Sequence, residues 1–173
     1  MKKNKVKGLR KLNKAISAPL VKQFGISKAI CSDDYQYNFI NETVYFKITT
    51  DTIEDILFNE FVMERFGFEV ENSFIISIFH EIGHHKANDE IEGSIYNFCI
   101  DEKNRITEEM QKATTYEEVK TLEWEYFNLP DEIMATQWAV NYIKNHPKEI
   151  AEMWSSWSKA FRKFYKKNGV EVT

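Results

Sequence analysis

The sequence lacks the features that mark several special classes of protein. It has only six glycines and three prolines in 173 residues, and 43% of its residues are apolar and 14% aromatic, an ordinary globular balance that favours helix. No run approaches the ~20 consecutive apolar residues that a transmembrane helix needs. No internal repeat and no low-complexity linker is visible, so the sequence predicts one domain over residues 1–173.

Cysteines are also scarce, and nothing resembles a complete signal peptide. Cys31 and Cys99 are far apart and have no C-x-x-C spacing, so we expect reduced thiols rather than a disulfide. The first residues are basic, as in a signal peptide, but Asn13, Lys14 and Ser17 interrupt the only apolar stretch that follows. These absences predict a soluble, cytoplasmic protein with no membrane partner.

Basic residues gather at both ends of a chain whose net charge of −4 is mild. Residues 1–14 carry seven lysines and arginines and no acidic residue, and five more basic residues lie between positions 159 and 167. The simplest interpretation of residues 1–14 is a solvated, flexible arm. Contact with nucleic acid or with an acidic partner is the alternative.

Hydrophobic periodicity predicts an α+β protein that is mostly helical. The pattern predicts a first helix from Leu12 to Phe24 that ends at Gly25, with Pro19 able to kink or split it. Alternating aromatic and β-branched residues from Tyr35 to Thr49 predict a β-hairpin that turns at Asn41-Glu42.

The rest of the chain is predicted to be helical apart from one short strand. Asp51 is the predicted N-cap of a helix that stops near Gly67, and Phe68 to Val70 form the short strand. Asn72 or Ser73 caps the next helix. The further predicted helices are Phe74–Ala87, Ile91–Gln111, Thr115–Phe127, Asp131–Asn145 and Pro147–Lys167, with Pro130 and Pro147 as helix-starting prolines. This order predicts an α+β layout with a small sheet at one side.

One predicted helix carries the pattern His-Glu-x-x-His at His80, Glu81 and His84. Residues four apart on a helix lie one above the other, so His80 and His84 can present imidazole nitrogens to one tetrahedral zinc ion. Glu81 is rotated by about 100° from His80, so it flanks the metal and can act as general base toward a water. The alternative is an accidental spacing, in which both histidines would need hydrogen-bond partners in an apolar helix.

A catalytic zinc site of this kind needs a third protein ligand, and two glutamates are candidates. Glu90 lies six residues after the second histidine, but the turn-making glycine of the metzincin pattern is replaced by Ala87. Glu132 lies in the first turn of a later predicted helix. Ala135 and Ala139 share its face, so that helix can pack closely against the zinc helix. The spacing favours Glu132 and leaves Glu90 open.

Together the two segments resemble the gluzincin metallopeptidases, including the small ImmA/IrrE-like proteases and the minigluzincins. The resemblance rests on His80-Glu81-x-x-His84 followed by Glu132-x-x-Ala135-x-x-Trp138-Ala139, and it covers the chain from the hairpin to the Glu132 helix. It implies that His80, His84 and Glu132 bind zinc and that Glu81 is the catalytic base. It also implies a zincin-like fold in which a small sheet lies beside the active-site helix. An edge strand of that sheet, here from Val44 to Ile48, would align the substrate.

This sequence departs from the gluzincin pattern at one polar position. The aspartate that follows the alanine in the family, and that usually hydrogen-bonds a zinc-ligating histidine, is Thr136 here. Thr136 is the first candidate to replace part of this role, and Asp89 is the alternative. The phenylalanine of the family pattern is Trp138, which is a conservative change for a core residue.

Other polar and aromatic residues are assigned more ordinary roles. His85 is expected at the rim of the site, because it points about 100° away from His84. His146 lies at a helix end, where a cation is favourable. Tyr126 and Tyr142 are candidates to stabilise an oxyanion, although the spacing selects neither. The tryptophans are expected to pack between helices: Trp124, Trp138, Trp154 and Trp157.

The sequence thus predicts a cytoplasmic zinc-dependent endopeptidase that hydrolyses a protein or peptide, with Glu81 as general base. A phage or mobile-element setting would suit the family that it resembles. The alternative is a catalytically silent zinc-binding protein that binds a protein or nucleic acid through its basic termini. An intact Glu81 counts against this alternative, because a structural site needs no base and normally has four protein ligands.

Overall fold

The computed structural model describes residues 8–48, 52–87 and 92–169. Within these residues it is 73% helical, with seven helices and a three-stranded sheet, which confirms the predicted mostly helical α+β class. None of the described helices combines the length and the apolar character needed to cross a membrane. In chain order the elements are α1 (Leu9–Phe24), β1 (Lys28–Cys31), β2 (Gln36–Asn38), β3 (Thr43–Phe46), α2 (Ile53–Phe66), α3 (Ser73–Ala87), α4 (Gly93–Met110), α5 (Tyr116–Phe127), α6 (Pro130–Asn145) and α7 (Pro147–Asn168).

The described chain divides into two compact units. The first unit combines residues 8–48 with residues 145–169, and it contains α1, the sheet and α7. The second unit covers residues 52–144. It contains α2 to α5 and all of α6 except its last residue, Asn145. The sheet therefore belongs to the first unit and the His-Glu-x-x-His helix to the second. A single domain over the whole chain, and a sheet beside the active-site helix, stay predictions.

The first unit is built on two amphipathic helices. In α1 one side chain per turn is buried, from Leu12 to Phe24, and the helix ends as predicted at Gly25, whose φ of 79° suits a residue without a side chain. Pro19 lies inside α1 without splitting it. The buried stripe of α7 consists of Met153, Trp157, Phe161 and Phe164.

The sheet has the order β1-β3-β2 and corrects one prediction about substrate binding. The predicted hairpin is confirmed, because β2 and β3 pair antiparallel with Tyr37 opposite Val44. The stretch from Val44 was expected to be an edge strand, but β3 is the central strand, since β1 pairs parallel with its other side. The sequence did not indicate β1, whose backbone N–H groups at Ala29 and Cys31 donate to side chains of α1.

Helix boundaries in the second unit follow local capping chemistry. The N-cap of α2 is Thr52 rather than the predicted Asp51, which lies outside the described residues; Thr52 and Asp55 form a reciprocal capping box. The predicted end of α2 at Gly67 is confirmed. The strand predicted from Phe68 to Val70 is wrong, because this segment has no strand conformation. Asn72 accepts a hydrogen bond from the Ile75 backbone N–H and starts α3.

Helices α3 and α6 approach each other closely at Gly83. A Cβ atom at Gly83 would lie only 2.8 Å from the Cα atom of Ala135, closer than real side chains allow. Ala135 and Ala139 are fully buried, as expected for small residues at a tight helix crossing. The predicted close packing of the Glu132 helix against the His-Glu-x-x-His helix is therefore confirmed.

Candidate metal centre

The side chains that the sequence singled out converge between α3 and α6. His80, Glu81 and His84 lie on α3, and each is less than 9% exposed. Glu132 lies in the first turn of α6, which begins at Pro130, and is only 3% exposed. Buried side chains of these types need compensating partners, because an isolated charge or polar group in the interior is strongly unfavourable.

Three of these residues form a group that could hold a metal ion, namely His80, His84 and Glu132. The Nε2 atom of His80 lies 2.9 Å from Glu132 Oε2 and 3.1 Å from His84 Nε2. The Nε2 atom of His84 lies 3.4 Å from Glu132 Oε1. A tetrahedron with bonds of ~2.0–2.1 Å, as for zinc with nitrogen and oxygen ligands, has edges of roughly 3.3–3.4 Å. The two histidines approach different oxygens of Glu132, and each of the three distances is close to such an edge.

Thr136 links the His80 ring to the backbone of α6. Its hydroxyl lies 2.8 Å from the Glu132 carbonyl oxygen, to which it can donate, and 2.9 Å from His80 Nδ1. When the hydroxyl donates to the carbonyl oxygen, it accepts from Nδ1–H, and His80 then offers the Nε2 lone pair to a cation. Nε2 lies beside a carboxylate oxygen of Glu132, so a cation there would contact both groups. The donor set fits a metal ion.

Thr136 thus contacts the His80 ring, as expected from the sequence. It is fully buried, and its position one turn after Glu132 lets one hydroxyl bridge the ligand-bearing helix and the His80 ring. The ring of Phe58 packs edge-on against the same imidazole, with centroids 5.1 Å apart. The alternatives Asp89 and Glu90 lie outside the described residues.

Glu81 lies beside the three-residue group rather than within it. Its Oε1 atom is 4.0 Å from His80 Nε2, too far for a shared hydrogen bond but close to the donor atoms. The side chain is buried, so a proton accepted there is shielded from bulk water. This is the placement that the sequence predicted for a general base that flanks a metal.

Lys103 and Asp131 belong to the site, although sequence analysis did not indicate them. The Nζ atom of Lys103, on α4, contacts a carboxylate oxygen of both Asp131 and Glu132. A signal was present in the sequence, because Lys103 shares a helical stripe with Cys99 and Ile106, which are both buried. A lysine on a buried stripe indicates a partner of opposite charge.

These charges control the protonation of Glu132. Burial alone would raise the pKa of Glu132, but His84, His80 and Lys103 outweigh burial and hold it well below the usual carboxyl range. Burial alone would lower the pKa of Lys103. The negative charges of Glu132 and Asp131 outweigh burial, so the pKa of Lys103 is raised above its ordinary value. The carboxylate and the ammonium are both ionised near neutral pH.

The two tyrosines that the sequence left as alternatives have different surroundings. Burial raises the pKa of Tyr126, and the nearby charges of Glu132 and Glu81 raise it further, so this phenol lies close to the candidate centre. Its ring also lies 5.4 Å from Lys103 Nζ. Tyr142 instead stacks on the rings of Phe79 and Trp138, with centroids 5.4 and 5.1 Å away. Of the two, Tyr126 is the phenol in the electrostatic field of the centre.

The histidines outside the motif do not join the donor group. His85 is half-buried on α3, and the three-residue group does not include it. His146 is exposed and is the N-cap residue of α7. Comparison with known proteins adds no identification, since no family model, curated protein or solved structure matches this chain.

Proposed function

We propose that this protein is a zinc-dependent metallopeptidase of the gluzincin type. The observation that carries the proposal is the convergence of His80, His84 and Glu132, with the Nε2 atoms of both histidines 3.1 Å apart and Glu81 beside them. Two imidazoles and one carboxylate form a ligand set typical of catalytic zinc, which keeps a fourth position open. The sequence pattern from Glu132 to Ala139 supports the same family.

The mechanism divides between the ion and the chain. Zinc, when bound, supplies Lewis acidity, which makes a water more acidic and polarises a carbonyl group. The Glu81 carboxylate accepts a proton from the water that attacks the peptide carbonyl, and it then donates this proton to the leaving amine. Thr136 keeps the His80 ring in the tautomer that offers Nε2. Lys103 and Asp131 hold the start of α6, where Glu132 lies.

The proposed substrate is a protein or peptide. We do not expect it to lie along the stretch from Val44 to Ile48, although the sequence predicts this alignment. The stretch from Val44 belongs to a central strand, so it has no free edge along which a substrate can pair. Among the described residues, the edges of this sheet are the outer sides of β1 and β2. The proposal therefore does not include a substrate strand paired with the stretch from Val44.

Replacement of Glu81 by glutamine tests the proposal directly. We expect zinc-loaded wild type to cleave a fluorogenic library of unstructured peptides and to lose this activity with a chelator. Glu81→Gln should retain zinc and lose activity by about 10²–10⁴-fold, the usual contribution of a general base. The matched control is Glu108→Gln, an exposed position on α4, which should cleave like wild type. Zinc-dependent cleavage that survives Glu81→Gln would overturn the proposed mechanism.

A second candidate function is binding of an anionic partner by a catalytically silent protein. The C-terminal half of α7 exposes four cations at helical spacing, Lys159, Arg162, Lys163 and Lys166, on the side opposite its buried stripe. Like charges at this spacing destabilise a helix, and an anionic partner such as nucleic acid would relieve the repulsion. The same variant separates the two functions, because Glu81→Gln leaves a binding function intact and abolishes a catalytic one.

A further inference from the structure

Lys103 occupies a position that is unusual for a lysine, next to a carboxylate of a candidate metal centre. Its ammonium group contacts both Asp131 and Glu132, whose side chains are 7% and 5% exposed, while its own side chain is 23% exposed. Asp131 and Glu132 are adjacent in the first turn of α6. A cation at this point repels any metal ion that approaches the same carboxylate.

The charges of the centre explain why a cation is needed there. Asp131 and Glu132 are adjacent buried carboxyl groups that both contact the Lys103 ammonium, and the buried Glu81 lies beside the same donor group. One ammonium cannot neutralise two carboxylates, so a divalent cation would still be attracted there. Without Lys103, Asp131 and Glu132 would lose the ammonium that contacts them both, and burial of their charges would be less favourable in the metal-free protein.

We propose that Lys103 is the internal counter-cation of the metal centre, which stabilises the metal-free site and limits its affinity for the ion. The inference rests on the proposed metal site but not on peptidase activity. Lys103 holds the Glu132 carboxylate beside His80 and His84 before an ion arrives, so the donor group is preorganised. The same positive charge weakens binding of the ion, so the metal stays exchangeable.

This role makes an unusual prediction for the affinity for zinc. Removal of the charge, in Lys103→Met or Lys103→Gln, should tighten zinc binding by about tenfold or more, because the repulsion is lost. Asp131→Asn should weaken binding by about tenfold, because one negative charge is lost while the ammonium remains on Glu132. If Lys103 and Asp131 only maintained the shape of the site, all three variants would weaken binding.

The experiment is a competition for zinc between the whole protein and a chromophoric chelator, with thermal unfolding of the metal-free protein measured in parallel. Lys103→Met and Lys103→Gln should unfold at lower temperature than wild type without metal, and Lys103→Arg should restore both the affinity and the stability of wild type. The matched control is Lys120→Met, which removes an ion pair of Lys120 with Glu60 in the same unit and should leave zinc affinity unchanged.

The outcomes separate this inference from the proposed function. If wild type binds no zinc, the proposed metal site itself is wrong. If wild type binds zinc and the neutral Lys103 variants bind it equally or more weakly, only the counter-cation role is overturned. Should neither neutral variant fold, Asp131→Asn is measured in their place, and an affinity equal to or tighter than that of wild type overturns the role.

Discussion

At the scale of single residues, the site depends on the orientation of one imidazole ring. His80 is held through Nδ1 by the Thr136 hydroxyl, which also donates to the Glu132 carbonyl oxygen one turn earlier. One side chain thus fixes a ring on α3 relative to the backbone that carries the third donor. Loss of the Thr136 hydroxyl should weaken metal binding more than it weakens folding, because only one hydrogen bond between helices is involved.

Thr136→Val preserves the shape of the side chain and removes the hydroxyl. We expect zinc affinity to fall by about 10–100-fold, the usual effect of the loss of a partner that orients a ligand. Chelator competition measures this. Thr121→Val is the matched control, since Thr121 makes the same 2.8 Å bond to the carbonyl oxygen of Glu117 but has no histidine partner. Equal zinc affinity in wild type and Thr136→Val would show that the hydroxyl does not orient His80.

Which residues of the site could be foreseen depends on how their contacts arise. His80, Glu81 and His84 were predictable because helical geometry alone sets their relation. Glu132 was predictable through small residues that allow a close helix crossing and through the family pattern that the segment resembles, and the structure confirms the crossing at Ala135. Lys103 was not predicted, since it contacts Glu132 from another helix and no local pattern encodes that contact.

At the scale of elements, the crossing of α3 and α6 brings the donors together. The two helices lie very close together at Gly83, one residue before His84. A glycine in mid-helix costs about 1 kcal/mol relative to alanine, so its presence there reflects the space available rather than helix propensity. The crossing therefore sets the distance between the histidines and Glu132.

Gly83→Ala tests this role of the crossing. The added methyl group would meet the backbone of Ala135, and we expect a loss of about 1–3 kcal/mol of unfolding free energy despite the better helix propensity. Zinc affinity should fall with it. Gly93→Ala is the matched control, because nothing lies within 4 Å of a Cβ atom there, and it should be neutral or slightly stabilising. Denaturant unfolding that shows Gly83→Ala as stable as wild type would contradict the close crossing.

The elements were largely predictable where the signal was local. Caps, helix-starting prolines and the terminal glycines of α1 and α2 placed most helix ends within a few residues. Strand β1 was missed because its pairing with β3 and its hydrogen bonds to Asn13 and Ser17 are contacts between distant segments. The strand predicted from Phe68 to Val70 failed because this short alternating segment pairs with no strand in the described chain.

At the scale of the whole molecule, charge is distributed unevenly between the two units. The described part of the first unit has twelve basic and five acidic residues, and that of the second has seven basic and eighteen acidic residues. The candidate metal centre lies in the acidic unit, whose negative potential attracts divalent cations. The sequence showed basic ends and an acidic middle, but the return of the chain end to the first unit could not be read from it.

Metal binding should therefore stabilise the protein against heat. A zinc concentration of about 1,000 times Kd adds roughly 4.1 kcal/mol, which for a chain of this size raises the Tm by about 8–16 °C. Scanning calorimetry measures the shift, which should shrink as the pH falls because protons compete for the imidazoles. Magnesium is the control ion, since it prefers oxygen ligands. An equal shift with magnesium would contradict a site of two imidazoles and one carboxylate.

The most direct test of the account is the metal content of the purified protein, measured by elemental analysis on wild type and on Glu132→Ala, with Glu108→Ala as control. We predict about one zinc per chain in wild type and in the control, and a sharp loss in Glu132→Ala. Zinc retained by Glu132→Ala would move the third ligand elsewhere, with Glu90 as the first alternative. A wild type that holds no zinc even after zinc is added would contradict the metallopeptidase proposal.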